Sequence, residues 1–499
     1  MATTFPRLVA LLPVTLLAAC QFAPTQEPPA ANIPMLAPGE PGVLVDGDTS
    51  EWPAQLAAWS DEHYLYLRFT IENEQLTLQS SGRTVSILLD TDASATTGLV
   101  PARAGLSELG ADVEIQFSPL KASGGTSSGA AILVHSGGST QRFKADALDL
   151  AIAPTYASSW YEARITRTPA MSLNLPPSGL LAPGRVRGVV AMLDNSGLPE
   201  AWADPFDIQT EDICPGGERL SDFAPPAKPA EAIRVMTLNV ERGAPMTRPE
   251  PFRRIMRAIN PDVILVQEWD GAEADTLRSW FAALGTEGEW HIATAGGTTA
   301  SGGGVAIASR FKLTQLPGRL MTNEGSGPRP VRFVGAIAES PAGPMVIGTT
   351  HLKCCGTSGS SEDQRRMTEA RAVSAALRAA AGAYPAAIRV VGGDLNLVGS
   401  RPPLDLLRAE LDADGSDLSV ASPQVIGDVT LTTWRSPGSD FPPGRLDYLA
   451  YSDANADVVS SFVFDTARFT AEVLAKMGVE RGDSASTDHL PVVIDLKPR

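Results

Sequence analysis

The segment Ala224-Pro225-Pro226-Ala227-Lys228-Pro229-Ala230 divides the chain in two. Its prolines remove backbone donors and fix φ, so neither a helix nor a sheet ladder passes through it. The hydrophobic pattern changes across it. Before it, short apolar runs lie between Gly, Ser, Pro and Asp, and their period is two. In His63–Ile71, Leu65, Leu67, Phe69 and Ile71 alternate with Tyr64, Tyr66, Arg68 and Thr70. Thr84–Leu89, Ala111–Phe117, Trp160–Ile165 and Arg187–Leu193 are of the same kind, and few helical patterns interrupt them. This predicts a β-sandwich over residues 42–223. After the prolines, Ile233–Leu238, Val263–Val266, Val305–Ala308, Met345–Thr350, Ile388–Val391 and Val492–Ile494 read as apolar strands alternating with helical stretches. Pro251–Asn260 and Ser361–Ala381 are the clearest helices. Glu362 and Asp363 suit the start of the second, and Gly382 with Pro385 end it. The pattern is that of a layered α/β domain over 231–499, joined by the linker 224–230.

At 499 residues the chain is long enough for two such cores. Its net charge of −17 is uneven, with 13 basic and 25 acidic residues before position 231 and 27 and 32 from there on. The first half is therefore a poor partner for a polyanion. Arg7 precedes the apolar run Leu8–Ala19, which is too short to span a bilayer but suits a secretory signal. The run ends in Leu17-Ala18-Ala19-Cys20, which resembles the lipobox of bacterial lipoproteins. That resemblance implies loss of residues 1–19, a lipid on Cys20 and a Pro/Ala-rich tether over 20–41. With Gln21 following the cysteine, it implies the outer membrane of a Gram-negative bacterium. Cys214, Cys354 and Cys355 remain, an odd number that leaves one thiol over whichever pair forms. A strained vicinal disulfide at Cys354-Cys355 is one arrangement. No CxxC or Cys/His cluster marks a zinc site.

Polar residues stand at the ends of the apolar strands of the second half, where a side chain can enter a cleft. Asn239 follows VMTL, Glu268 follows VILVQ, His351 follows VIGTT, and Asp394 and Asn396 follow RVVGG. Asp447 lies in GRLDYLAY, and Asp488-His489 precede PVVIDL. Any one of these, taken alone, reads as a turn cap. Together, the ordered blocks TLNV, QE, THL, GGDLN, RLDY and STDHLP resemble the endonuclease/exonuclease/phosphatase superfamily. That superfamily includes deoxyribonuclease I, abasic-site endonucleases, bacterial sphingomyelinases and inositol polyphosphate phosphatases. The resemblance covers essentially all of 231–499 and implies a four-layer αββα sandwich with its active site at one edge of the paired sheets.

Phosphoester cleavage needs an activated water, a protonated leaving group and neutralisation of the nonbridging oxygens. The resemblance implies Glu268 as principal ligand of Mg²⁺ or Mn²⁺, supported by Asn239 and Asp488. Asp447 would orient His489, and Asp394 would position or deprotonate the water. Asn396 and His351 would face phosphate oxygens, with His351 an alternative general acid. Arg329 in GPRPV resembles a phosphate-contacting arginine of some nucleases in the superfamily, and Arg332 competes for that role. The expected substrate is a phosphodiester, with nucleic acid favoured. A sphingomyelinase-type phospholipase or a phosphomonoesterase keeps the same fold, and a non-catalytic surface-binding lipoprotein is the reading from another class.

In the first half, Asp46-Gly47-Asp48, Glu51-Trp52-Pro53, the YLYLRF run and Leu89-Asp90-Thr91-Asp92 resemble a family 9 carbohydrate-binding module over about residues 40–215. This implies a surface glycan as partner and a structural Ca²⁺ at Asp90, Asp92 and Asp112. It also makes the sandwich a targeting unit, and because every catalytic block lies after the proline linker, residues 231–499 are expected to fold and keep metal-dependent activity without it.

Overall fold

The computed structural model describes residues 43–499 apart from 53–56, 71–74, 104, 169–183, 211, 214–218, 287 and 324–326. The leader, Cys20, the tether and Cys214 lie outside the described residues.

Residues 43–223 build two antiparallel sheets. One runs Ala58–Ser60, Tyr64–Phe69, Tyr161–Thr166, Ala151–Ala153. The other runs Pro199–Trp202, Gly184–Leu193, Thr84–Asp90, Val113–Phe117, Ala130–Ser136, Ser139–Phe143, with Phe206–Thr210 also on Gly184–Leu193. Leu65, Leu67 and Phe69 of the first sheet form one core with Ile87, Leu89, Ile115 and Phe117 of the second. The alternation in YLYLRF has that cause, yet its other face is not open to solvent. Tyr64 and Tyr66 are buried as well, in a cluster with Val45, Trp52 and Val429. Val429 belongs to the second domain, which covers the outer face of the smaller sheet.

The second domain stacks two six-stranded sheets. One runs His291–Ala295, Val305–Ser309, Val263–Gln267, Ile233–Asn239, Val492–Pro498, Ala456–Val463. Its partner runs Leu313–Gln315, Phe333–Ser340, Gly343–His351, Ile388–Asp394, Asp447–Tyr451, Ser419–Val420. Val235, Leu265 and Ile307 meet Ala336, Ile347, Val390 and Leu449 between the sheets. The helices Pro249–Ile259 and Ala274–Ala282 cover the outer face of the first sheet through Phe252, Ile255 and Phe281. Helix Ser361–Ala381 covers the second. The Ser360 side chain accepts from the Asp363 amide, capping the start, and Ala370, Val373, Leu377 and Ala381 recur at helical spacing against Val346 and Val391. Burial of each such Val or Leu side chain contributes roughly 1.5–3 kcal/mol. The four layers are those expected.

The two domains are joined by more than the linker. Arg164, 2% exposed, binds Asp428 Oδ2 at 2.7 Å and Asp149 Oδ2 at 2.8 Å. Arg468 meets the same two carboxylates at 2.9 and 3.3 Å. The linker itself lies along the second domain, with Pro226 O accepting from Arg234 Nη2 and Lys228 paired to Asp262.

Candidate active site

Three strands of the second sheet bring their polar residues into one row, because His351 pairs with Asp394 and Asp394 with Asp447 in the ladder. The first sheet ends at the same edge. Asn239 pairs with Gln267, and Glu268 follows in the left-handed region at φ +57. That conformation is strained for a glutamate and takes its carboxylate out of the strand into the cleft. His489 enters from the segment that leads into Val492–Pro498.

Asp447 and His489 form the tightest pair. His489 Nδ1 lies 2.7 Å from Asp447 Oδ2, which also accepts from Thr433 Oγ1 at 2.7 Å, and all three are buried. His489 Nε2 is 3.7 Å from Asp394 Oδ2. Burial opposes the imidazolium, but the carboxylates of Asp447 and Asp394 outweigh it and push His489 up to about 10. His351 goes the other way. Its burial, then the charges of Arg332 and His489, hold it well below the ordinary histidine value, so it is neutral at pH 7. Burial, with the Asp447 charge adding to it and His489 opposing, pushes Asp394 up to about 7.

Glu268, His351 and Asp394 present ligand atoms all within 4.8 Å of one another. Two carboxylates and an imidazole are a donor set that fits a divalent cation. Burial, with the charges of Asp488 and Glu268 adding to it, raises the Glu241 carboxyl as well. The trio differs from the expected ligand set. Asn239 Oδ1 accepts from the Glu241 amide, which turns Nδ2 towards Glu268 Oε1 at 3.3 Å and Asp394 Oδ2 at 3.1 Å. Asn239 is therefore a donor that aligns the two carboxylates. Asp488 turns to the Trp434 indole, which donates to its Oδ2 at 2.9 Å. Asn396, also left-handed at φ +49, donates from Nδ2 to Leu352 O.

Arg329 sits exposed on the small hairpin of Met321–Asn323 with Pro328–Pro330 and does not line the cleft. Arg332 does, with Nη1 3.3 Å from His351 Nε2 and Nη2 donating to Leu352 O. Three residues along a bent segment decide between them, and sequence carries no signal for that. Thr433 and Trp434 were missed for the same reason, since they reach the site from a loop without strand pattern. Cys354 and Cys355 also line the cleft, as free thiols with sulfurs 2.8 Å apart. Burial and the neighbouring Cys354 push the Cys355 thiol up to about 11, so it is no nucleophile at neutral pH.

In the sandwich, Asp90, Asp92 and Asp112 likewise bring carboxylate oxygens within 4.8 Å. Asp112 Oδ2 accepts from the amide and hydroxyl of Thr91, while its Oδ1 is buried without a partner. Arg187 already holds one oxygen of Asp90.

A model of the Endonuclease/Exonuclease/phosphatase family matches residues 236–489, just over half of the chain, and the chain belongs to that family. Among solved structures it is similar to the human Nocturnin catalytic domain, at 17% identity and TM-score 0.38 over 55% of this chain and 97% of that one. A 3'-5' exonuclease from Neisseria meningitidis matches at 19% and 0.36 over 52% and 98%. Sphingomyelinase C from Streptomyces griseocarneus matches at 15% and 0.34 over 53% and 99%. A search of curated proteins finds no match.

Proposed function

We propose that the chain is a divalent-metal-dependent phosphodiesterase in which an activated water attacks phosphorus. The observation that carries this reading is the convergence, at one sheet edge, of the buried Asp447–His489 pair on Asp394, Glu268 and His351. A cation held by Glu268, His351 and Asp394 would supply charge neutralisation at the phosphate. The residues do the rest. Asp447 fixes the His489 tautomer, leaving Nε2–H to donate to a phosphate oxygen as negative charge develops. Asp394 takes the proton of the attacking water as the P–O ester bond breaks, and the departing ester oxygen takes its proton from solvent. The Arg332 guanidinium, beside His351, lines the cleft as a further donor to phosphate oxygens. Hydrolysis of bis(4-nitrophenyl) phosphate with Mg²⁺ or Mn²⁺, abolished by chelator, tests this. No turnover with any divalent ion would sink it.

Around this centre we propose lipid attachment at Cys20 in the outer membrane, a surface glycan as partner of the sandwich, and Ca²⁺ at Asp90, Asp92 and Asp112. The supports are the lipobox-like run, the carbohydrate-module resemblance and the unpartnered Asp112 oxygen. An unmodified mature N-terminus by mass spectrometry would reject the first, and a blank glycan array the second. A melting temperature indifferent to Ca²⁺ against chelator would reject the third.

A further inference from the structure

The catalytic residues form the floor of a cleft of about 690 Å³, and part of its wall comes from the other domain. Thr77, Gln79, Ser80, Ser128 and Thr155 of the sandwich line it together with Glu268, His351, Asp394 and His489. We infer that the sandwich is a specificity element of the active site, walling the cleft so that it takes a compact phosphodiester with an apolar or aromatic ester group and excludes duplex nucleic acid. The inference rests on the phosphodiesterase reading above.

The wall is built into the fold at three loops that rim the site. After His351, the Ser358 amide donates to Thr77 Oγ1 at 2.9 Å. After Asp394, Thr155 Oγ1 donates to Leu397 O at 2.7 Å and the Ala157 amide to Gly399 O at 2.9 Å. Before Asp447, the Ala130 amide donates to Asp440 O at 2.6 Å, and the Gly438 amide to Asp146 Oδ2 at 2.9 Å. The approach at the third loop requires glycine. Gly129 has φ +93, and a Cβ there would lie 2.2 Å from Asp440 O. That loop brings Phe441, 42% exposed, and Pro442 to the lining of the cleft.

Size, charge and polarity then fix the class of substrate. A cleft of 690 Å³ lies in the range that encloses one small molecule. Among the described residues, Arg242 and Arg332 are the only permanent cations lining it, against Glu268, Asp270, Asp394 and Asp488. A B-form duplex carries one charge per about 1.7 Å and is held by a row of Lys and Arg, which this cleft lacks. Trp434, Phe441, Pro442 and Leu446 instead offer an apolar side for an ester group. Gln79 lines the same cleft from the sandwich, and its buried Oε1 has no hydrogen-bond partner.

The test uses the full chain with Mg²⁺ or Mn²⁺ on bis(4-nitrophenyl) phosphate and on supercoiled plasmid. The expected result is turnover of the small diester at least about 100-fold faster per phosphate than nicking. Ser128→Trp, at an exposed rim position, lowers kcat/KM for the small diester roughly tenfold or more. Gln79→Ala raises KM with kcat retained, the signature of a lost binding contact. Plasmid nicking as fast as diester turnover overturns the inference and leaves the phosphodiesterase reading standing. So does a Ser128→Trp protein that melts normally with unchanged kcat/KM. If that variant does not fold, an unchanged KM in Gln79→Ala has the same force. Turnover of neither substrate removes the phosphodiesterase reading and this inference with it.

Discussion

Arg164→Met removes one cation from a cluster of two arginines and two aspartates that joins the domains and is buried at Arg164 and Asp428. Arg164 is 2% exposed and Asp428 3%, and the guanidinium also lies 4.2 Å from the Tyr64 ring centroid. Methionine keeps much of the stem volume but leaves Asp428 and Asp149 to share Arg468. Breaking a buried ion pair on one side costs about 3–5 kcal/mol. Because Arg468 still reaches both carboxylates at 2.9 and 3.3 Å, we expect about 3 kcal/mol. Urea unfolding followed by tryptophan fluorescence reads this directly. The wild type should unfold in one transition, and the variant at lower urea with the two domains separating. The double variant Arg164→Met/Asp428→Asn restores the balance of charge and should cost less than the sum of the single changes. A loss below about 1 kcal/mol in Arg164→Met, with one transition retained, would show that the cluster does not join the domains and refute the reasoning.

Thr433→Val deletes the hydroxyl that donates to Asp447 Oδ2 and accepts from the Leu446 and Asp447 amides. It should cost about 1–3 kcal/mol and lower kcat on a small diester, and a stable variant with full kcat would contradict the positioning role. Gly393→Ala should lose soluble yield or melt far lower, since φ is +135 and the new Cβ would lie 2.0 Å from Thr350 O on the neighbouring strand. A melting temperature within about 2 °C of wild type, a change of about 1 kcal/mol or less, would show that the strands can part. Cys355→Ser should retain kcat, because its protonated thiol has no part in the chemistry; a loss of tenfold or more in a folded variant would give it one.

The sequence made most of the strands and the long helix legible because their signals are local. Ser361–Ala381 was expected from its acidic first turn and Gly382, and it runs over those residues. The site residues were legible because each interrupts an apolar run at its end. Their neighbours were not, since register across strands places His351 beside Asp394 and Asp394 beside Asp447, and no local pattern encodes it. Ser139–Phe143 was missed because STQRF is an exposed polar edge strand without alternation. The alternation in YLYLRF separates Tyr64 and Tyr66 from the core face, but no local pattern shows that residues of the second domain bury them. The orientation of Asn239 was not legible for a similar reason, because the end of its amide that faces Glu268 is set by the Glu241 N–H in three dimensions.

The central claim is that His489, held by Asp447, acts on a phosphate beside a cation bound at Glu268. Both partners are buried, so His489→Ala would leave Asp447 unpaired and mix stability with rate; His489→Gln keeps a donor for that carboxylate. The decisive measurement is kcat of wild type and His489→Gln on bis(4-nitrophenyl) phosphate, each with Mn²⁺ and with chelator, alongside melting temperatures. The account predicts a kcat lower by roughly 10²–10⁴-fold in His489→Gln at a similar melting temperature, and no wild-type turnover in chelator. A folded His489→Gln protein with near-normal kcat, or turnover indifferent to chelator, would contradict it.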